Sequence, residues 1–144
     1  MRKMKLFVIL CLVVSSVTYS NIKLDPSKSQ NTTIEKKKNG STIINVNTPN
    51  NKGISVNDFE NFQTKDGVIF NNSNSRFNMS QIAGMINANP NITGEQARLI
   101  LNRVGGNNRV EIENYLEVVS KNKTDMIMSS QNGFYLNNTK FINF

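Results

Sequence analysis

From Thr42 onward the apolar residues fall in short runs of three to five, each closed by Asn, Gly, Ser or Pro. "TIINV" runs into "NTPNNKG", "GVIF" into "NNSNS", "ARLIL" into "NRVGGNN", "YLEVV" into "SKNKTD", and "DMIM" into "SSQNG", with "GFYL" and "FINF" completing the series. β-Branched and aromatic residues bounded by turn formers predict a succession of short strands. One stretch departs from this texture. Met79 to Ala88 sets Ile82, Met85 and Ile86 at helical spacing behind Ser80 as a cap, and predicts a single short helix or turn. Elsewhere the pattern is all-β.

Before Thr42 the pattern is different. Residues 21–41 are polar and charged without sustained periodicity, and predict a flexible polar tether. Residues 1–20 place Arg2, Lys3 and Lys5 ahead of an apolar run from Leu6 to Val14. Small residues follow, with Thr18 and Ser20 at the minus-three and minus-one places of a cleavage after Ser20. That layout predicts a secretory signal-peptide helix, because the run is far short of the ~20 residues a membrane-spanning helix needs. Export follows. Cys11 lies within the leader, so the mature chain is expected to hold neither cysteine nor histidine. A disulfide framework, thiolate metal sites and the commonest general base are thereby excluded, and no cofactor or metal is expected.

The net charge of +7 changes the picture less than its size suggests. Residues 1–20 carry +3, residues 21–41 another +3, and residues 42–144 only +1, so the predicted folded part lacks the basic face that phosphate binding requires. Lys36, Lys37 and Lys38 read as solvated. Glu111 and Glu113 stand at alternate strand positions and face solvent together, with Glu117 as a third carboxylate. Asp58, Glu60 and Asp66 are too scattered for a metal cage, and Gly105-Gly106 lacks the context of a phosphate loop. Nothing here marks an enzyme.

Asparagine occurs 25 times, concentrated in the connections. It tolerates the left-handed backbone region, closes turns with its own side chain, and can ladder when strands repeat in register. "GVIFNNSNSRF", from Gly67, is nearly rewritten as "GFYLNNTKF", from Gly133. The repetition suggests equivalent turns on different rungs of a solenoid. Asn89-Pro90-Asn91 is a turn with a mechanism: Pro90 presets the backbone, Asn89 bonds back to the chain, and Asn91 tolerates the geometry that follows.

In order along the chain stand "NTPNNKGIS", "GVIFNNS", "NPNITGEQARLILNRV", "NYLEVV", "SSQNGF" and "KFINF". Residues 42–144 thereby resemble the two-partner secretion domain at the N-termini of filamentous haemagglutinins, haemolysins and contact-dependent inhibition toxins. The resemblance implies a right-handed parallel β-helix with an N-terminal cap. It also implies recognition in the periplasm by a partner outer-membrane β-barrel transporter, reached through the general secretion machinery. The product would be secreted, or held at the surface of a Gram-negative bacterium. Carried over residue by residue, Asn89, Pro90, Asn91 and Ile92 match one family motif, with Ile92 in place of the usual leucine. Asn132 and Gly133 keep the last two residues of a second. Leu136 and Thr139 stand where some members carry paired cysteines. Family members continue further, so an incomplete, truncated copy is expected, its last rung open after Phe144. A self-contained adhesin or surface-binding fragment is the alternative.

Overall fold

The computed structural model describes residues 20–144; the signal-peptide helix expected over residues 1–20 lies, but for Ser20, outside the described residues. Those residues form eleven strands and no helix. In chain order the first six are β1 (Asn21–Leu24), β2 (Thr33–Lys36), β3 (Thr42–Asn45), β4 (Ile54–Thr64), β5 (Val68–Asn71) and β6 (Asn78–Ser80). The remainder are β7 (Gly84–Ile86), β8 (Leu99–Val104), β9 (Val110–Val119), β10 (Asp125–Ser130) and β11 (Phe134–Ile142).

The strands coil into a parallel β-helix with three faces. On the first face β4, β8 and β10 stack in parallel, so that Ile54, Leu99 and Asp125 occupy one column. On the second, Gln63, Glu111 and Tyr135 share a column. On the third, β3, β5, the end of β9 and the end of β11 stack, aligning Thr42, Val68, Leu116 and Phe141. Alternation along each strand sends every second side chain inward. Ile44, Phe70 and Val118 fill one inner column, and Ile100 and Val104 line another wall. Phe62 bridges them, edge-on to Phe59 at 5.2 Å and stacked on Phe70 at 6.2 Å. Each such ring, fully buried, contributes about 1.5–3 kcal/mol.

Residues 21–41, expected as a flexible tether, are instead part of the fold. β1 pairs antiparallel with β4, and β2 pairs antiparallel with β3, covering the edge that β3 would otherwise present. They form the N-terminal cap of the coil, the device that closes a solenoid's open sheet edge. Capping strands bury one face only, here Ile22 and in part Leu24 of β1 and Ile34 of β2, so their hydropathy stays low enough to resemble a linker.

Asparagine turns corners, as its backbone tolerance suggests. Asn114 and Asn138 hold φ of 69° and 50°, where successive rungs pass from the second face to the third. Asn71 donates to the Asn45 side chain at 2.9 Å, one rung of an amide ladder on the third face. The repeated phrase, however, does not mark equivalent positions. Val68 stacks beneath Leu116 and Phe141, whereas Phe134 stacks on Val110 of another face. Rung length is the reason: 45 residues separate Ile54 from its partner Leu99, but only 26 separate Leu99 from Asp125. A spacing of 66 residues therefore matches no whole number of turns.

The extra length of the longer rung holds the stretch predicted as a short helix or turn. Met79 to Ala88 is the antiparallel hairpin β6–β7 and its exit. Ser80 Oγ accepts the amides of Ile82 and Ala83 at 3.1 and 2.9 Å, closing a turn rather than opening a helix, and Gly84 at φ 69° ends any helical course. Ile82 and Ile86 still share a face. They cover Ile43 and Ile69 on the outside of the third wall, forming a second small core.

Candidate functional site

The NPNI turn lies in the connection from β7 to β8, against the capped end of the coil. Asn89 is 1% exposed. Its Nδ2 donates to the carbonyls of Val46, just past β3, and of Asn71, the last residue of β5, at 2.9 and 2.7 Å, and its Oδ1 accepts the Asn91 amide at 2.9 Å. Its backbone amide donates to Ser73 O at 2.7 Å. One side chain therefore ties two successive strand ends to the turn that carries it. Asn91 extends the clamp to the cap, donating from Nδ2 to Asn31 O at 2.7 Å and to Val46 O at 3.1 Å. Ile92 is 4% exposed and belongs to the main core. Pro90 alone projects to solvent. Thr48, in the "NTPN" loop, donates to Asn91 O at 2.9 Å, so the Pro49-Asn50 and Pro90-Asn91 segments are neighbours in space.

Asn132 and Gly133 form the exposed turn between β10 and β11. Asn132 Nδ2 donates to Gly106 O, and Gly133 O accepts the Val110 amide at 3.0 Å. Gly133 holds φ of 80°, a conformation that only a residue without Cβ adopts freely. This pair touches the β8–β9 corner of the preceding rung and shares no partner with the NPNI clamp. Gly106, at that corner, has no room for a side chain: a Cβ would overlap the Glu60 carbonyl oxygen.

Two charged groups gain meaning only in three dimensions. Glu117 is fully buried on the outside of the third face, in the column of Ile43 and Ile69. It accepts from Ser80 Oγ at 2.6 Å, Gln81 N at 2.7 Å and Ile82 N at 3.3 Å, pinning the hairpin turn to the coil. Asp58, 6% exposed, accepts from Nε and Nη2 of Arg103 at 2.7 and 2.8 Å, strapping β4 to β8. Bonding to Asp58 raises the guanidinium pKa above its ordinary value. The sequence signal for Glu117 was a lone acidic residue in an apolar run, "YLEVV", which a strand burying both faces makes unusual. Among the described residues Glu111 and Glu113 do not join Glu117 in a shared carboxylate site, and no group of three His, Cys, Asp or Glu side chains could hold a metal. No described helix is long and apolar enough to cross a membrane.

This architecture, a capped three-sided coil with a clamped Asn-Pro turn, has relatives. The profile of the TPS secretion domain matches residues 22–144, so the chain belongs to the two-partner secretion domain family. It is 38% identical over 117 residues to the "16S rRNA endonuclease CdiA" of Enterobacter cloacae, covering 80% of this chain and 4% of that protein. It is 35% identical over 133 residues to the "Hemolysin" of Proteus mirabilis, covering 92% of this chain and 8% of that protein. Among solved structures it resembles the crystal structure of the filamentous hemagglutinin secretion domain, with a TM-score of 0.74 and 30% identity, over 85% of this chain and 39% of that one. The chain therefore spans less of those curated relatives, 4% and 8%, than of the solved secretion domain, 39%. The activities in those relatives' names are their own; the matched unit is a non-catalytic secretion module.

Proposed function

We propose that this chain directs its own export: a partner outer-membrane β-barrel transporter binds it in the periplasm, through soluble periplasmic domains, and threads it to the cell surface or medium of a Gram-negative bacterium. The observation that carries the reading is the match of the secretion-domain profile from Ile22 to Phe144, nearly everything beyond the leader. The leader brings the chain to the general secretion machinery. Asn89, Asn91 and Ile92 serve recognition by holding the capped end in shape, since their side chains are engaged within the fold. Pro90, the solvent-facing member of the motif, is the group a transporter can touch. Asn132 and Gly133 play a lesser part, setting the β10–β11 turn.

Titration of the chain with the isolated periplasmic domains of its cognate transporter, followed by calorimetry, tests this reading. Saturable binding that Pro90→Ala weakens without lowering the melting temperature is the expected result. Absence of binding at tens of micromolar by a chain shown to be folded would remove it.

A further inference from the structure

The β6–β7 hairpin has an inner face and an outer face, and only the inner one is used by the fold. Met79 and Met85 are direct cross-strand partners on the outer face, 70% and 64% exposed, and Phe77, two residues before Met79, is 70% exposed. Three large apolar side chains projecting from one short hairpin are not explained by packing.

Cations surround them. Arg76 lies over the Phe77 ring, 5.5 Å from its centroid. On the other side, a shallow depression is lined by Met85 and Ala83 together with Glu35 and Lys36 of β2 and Lys37 and Lys38 of the β2–β3 turn, three cations to one carboxylate. Asn39 of that turn donates to Ile82 O at 3.2 Å, fixing the basic stretch beside the hairpin. Lys37 shares its charge with Glu35 at 2.8 Å, and Lys36 donates to Ser20 O, while Lys38 and Arg76 make no ion pair among the described residues. The lysine run read from sequence as merely solvated thus borders an apolar patch.

We propose that the outer face of this hairpin docks on an anionic phospholipid bilayer. Phe77, Met79 and Met85 enter the boundary between headgroups and acyl chains, and Lys37, Lys38 and Arg76 meet the lipid phosphates. An apolar centre with a basic rim is the chemistry that interfacial binding requires. Area favours a lipid over a protein occupant: three such side chains present on the order of 400 Å², about half of what each partner contributes to a stable protein interface. They also project outward, as groups that enter a soft interface do, rather than lining a groove that a partner would fill.

The chain contains no tryptophan, so Phe77→Trp makes a single reporter in the full chain. Phe134→Trp, on β11, is its counterpart on the second face of the coil. Both carry the same leader. With vesicles of phosphatidylcholine and phosphatidylglycerol, Trp emission at position 77 is expected to shift to the blue and to be quenched by brominated acyl chains, while emission at 134 stays unchanged. Adding Lys37→Gln and Lys38→Gln should weaken binding to anionic vesicles by about fivefold per cation, with little effect on neutral ones. Met79→Ser with Met85→Ser should abolish the quenching at 77. The proposal is overturned if emission at 77 is unmoved by anionic vesicles, or if both reporters shift together. It is equally overturned if 77 responds only to added transporter domains, which would make the occupant a protein. No transporter is present in the vesicle arm, so its failure leaves the export reading untouched.

Discussion

Replacing Asn89 by alanine separates the architectural part of the NPNI turn from direct recognition. The substitution deletes two donated bonds, to Val46 O and Asn71 O, and one accepted bond from Asn91 N. Each contributes about 0.5–1.5 kcal/mol net. Relief is partial, because Val46 O retains the Asn91 side chain at 3.1 Å and Asn71 O retains the Val46 amide at 3.3 Å. A loss of about 3 kcal/mol follows, equivalent to roughly 10 °C in melting temperature for a domain of this size. Pro90→Ala, at an exposed position, should cost less than about 1 kcal/mol. Far-UV circular dichroism melts and secreted protein should be measured for both variants at two growth temperatures. If Asn89 acts through the fold, its export defect shrinks at the temperature where the variant is folded, while that of Pro90→Ala does not. A melting temperature within about 2 °C of wild type for Asn89→Ala, together with lost export, would refute the architectural argument.

Three further outcomes follow from the same geometry. Glu117→Ala leaves the Ser80 hydroxyl proton and the Gln81 amide without their acceptor, while the Ile82 amide keeps Ser80 Oγ at 3.1 Å, and should cost about 2 kcal/mol, against roughly 1 for Glu117→Gln, with faster tryptic cleavage after Arg76 as the local readout; equal stability of all three chains would remove the pin. Gly106→Ala must displace the Glu60 carbonyl and should destabilise by more than about 2 kcal/mol in urea melts, whereas Gly94→Ala, where a Cβ meets nothing, should not. Ser20 Oγ accepts the Lys65 amide at 3.0 Å and donates to Asp66 at 3.0 Å, so a chain beginning at Asn21 should melt several degrees below one that keeps Ser20.

Much of the architecture was legible because each strand of the coil is a short apolar run ended by its own turn residues. β5, β8 and the second half of β9 were visible as "GVIF", "ARLIL" and "YLEVV". The cap was not. β1 and β2 each bury few side chains, and their lysines point outward, so composition alone resembled a linker. At the hairpin the pattern leaves helix and turn both open, because Ile82 and Ile86 satisfy helical spacing and hairpin geometry equally well, and only the second brings them onto Ile43 and Ile69. The duplicated glycine phrase misled for a related reason: unequal rung lengths shift its copies onto different faces. At the candidate site, the residues of the NPNI turn could be named in advance. That Asn89 reaches two strand ends 43 and 18 residues away could not, since those partners are backbone carbonyls, which leave no trace in side-chain identity.

The central claim is that this fold is read by a transporter. Its most direct test is expression of the full chain in a Gram-negative host with and without the cognate outer-membrane partner, quantifying the protein in the medium and at the cell surface by immunoblot. Transporter-dependent appearance outside the cell, with periplasmic retention in its absence, is the predicted result. Equal amounts outside the cell in both strains, or retention in both despite a correctly folded periplasmic chain, would contradict it.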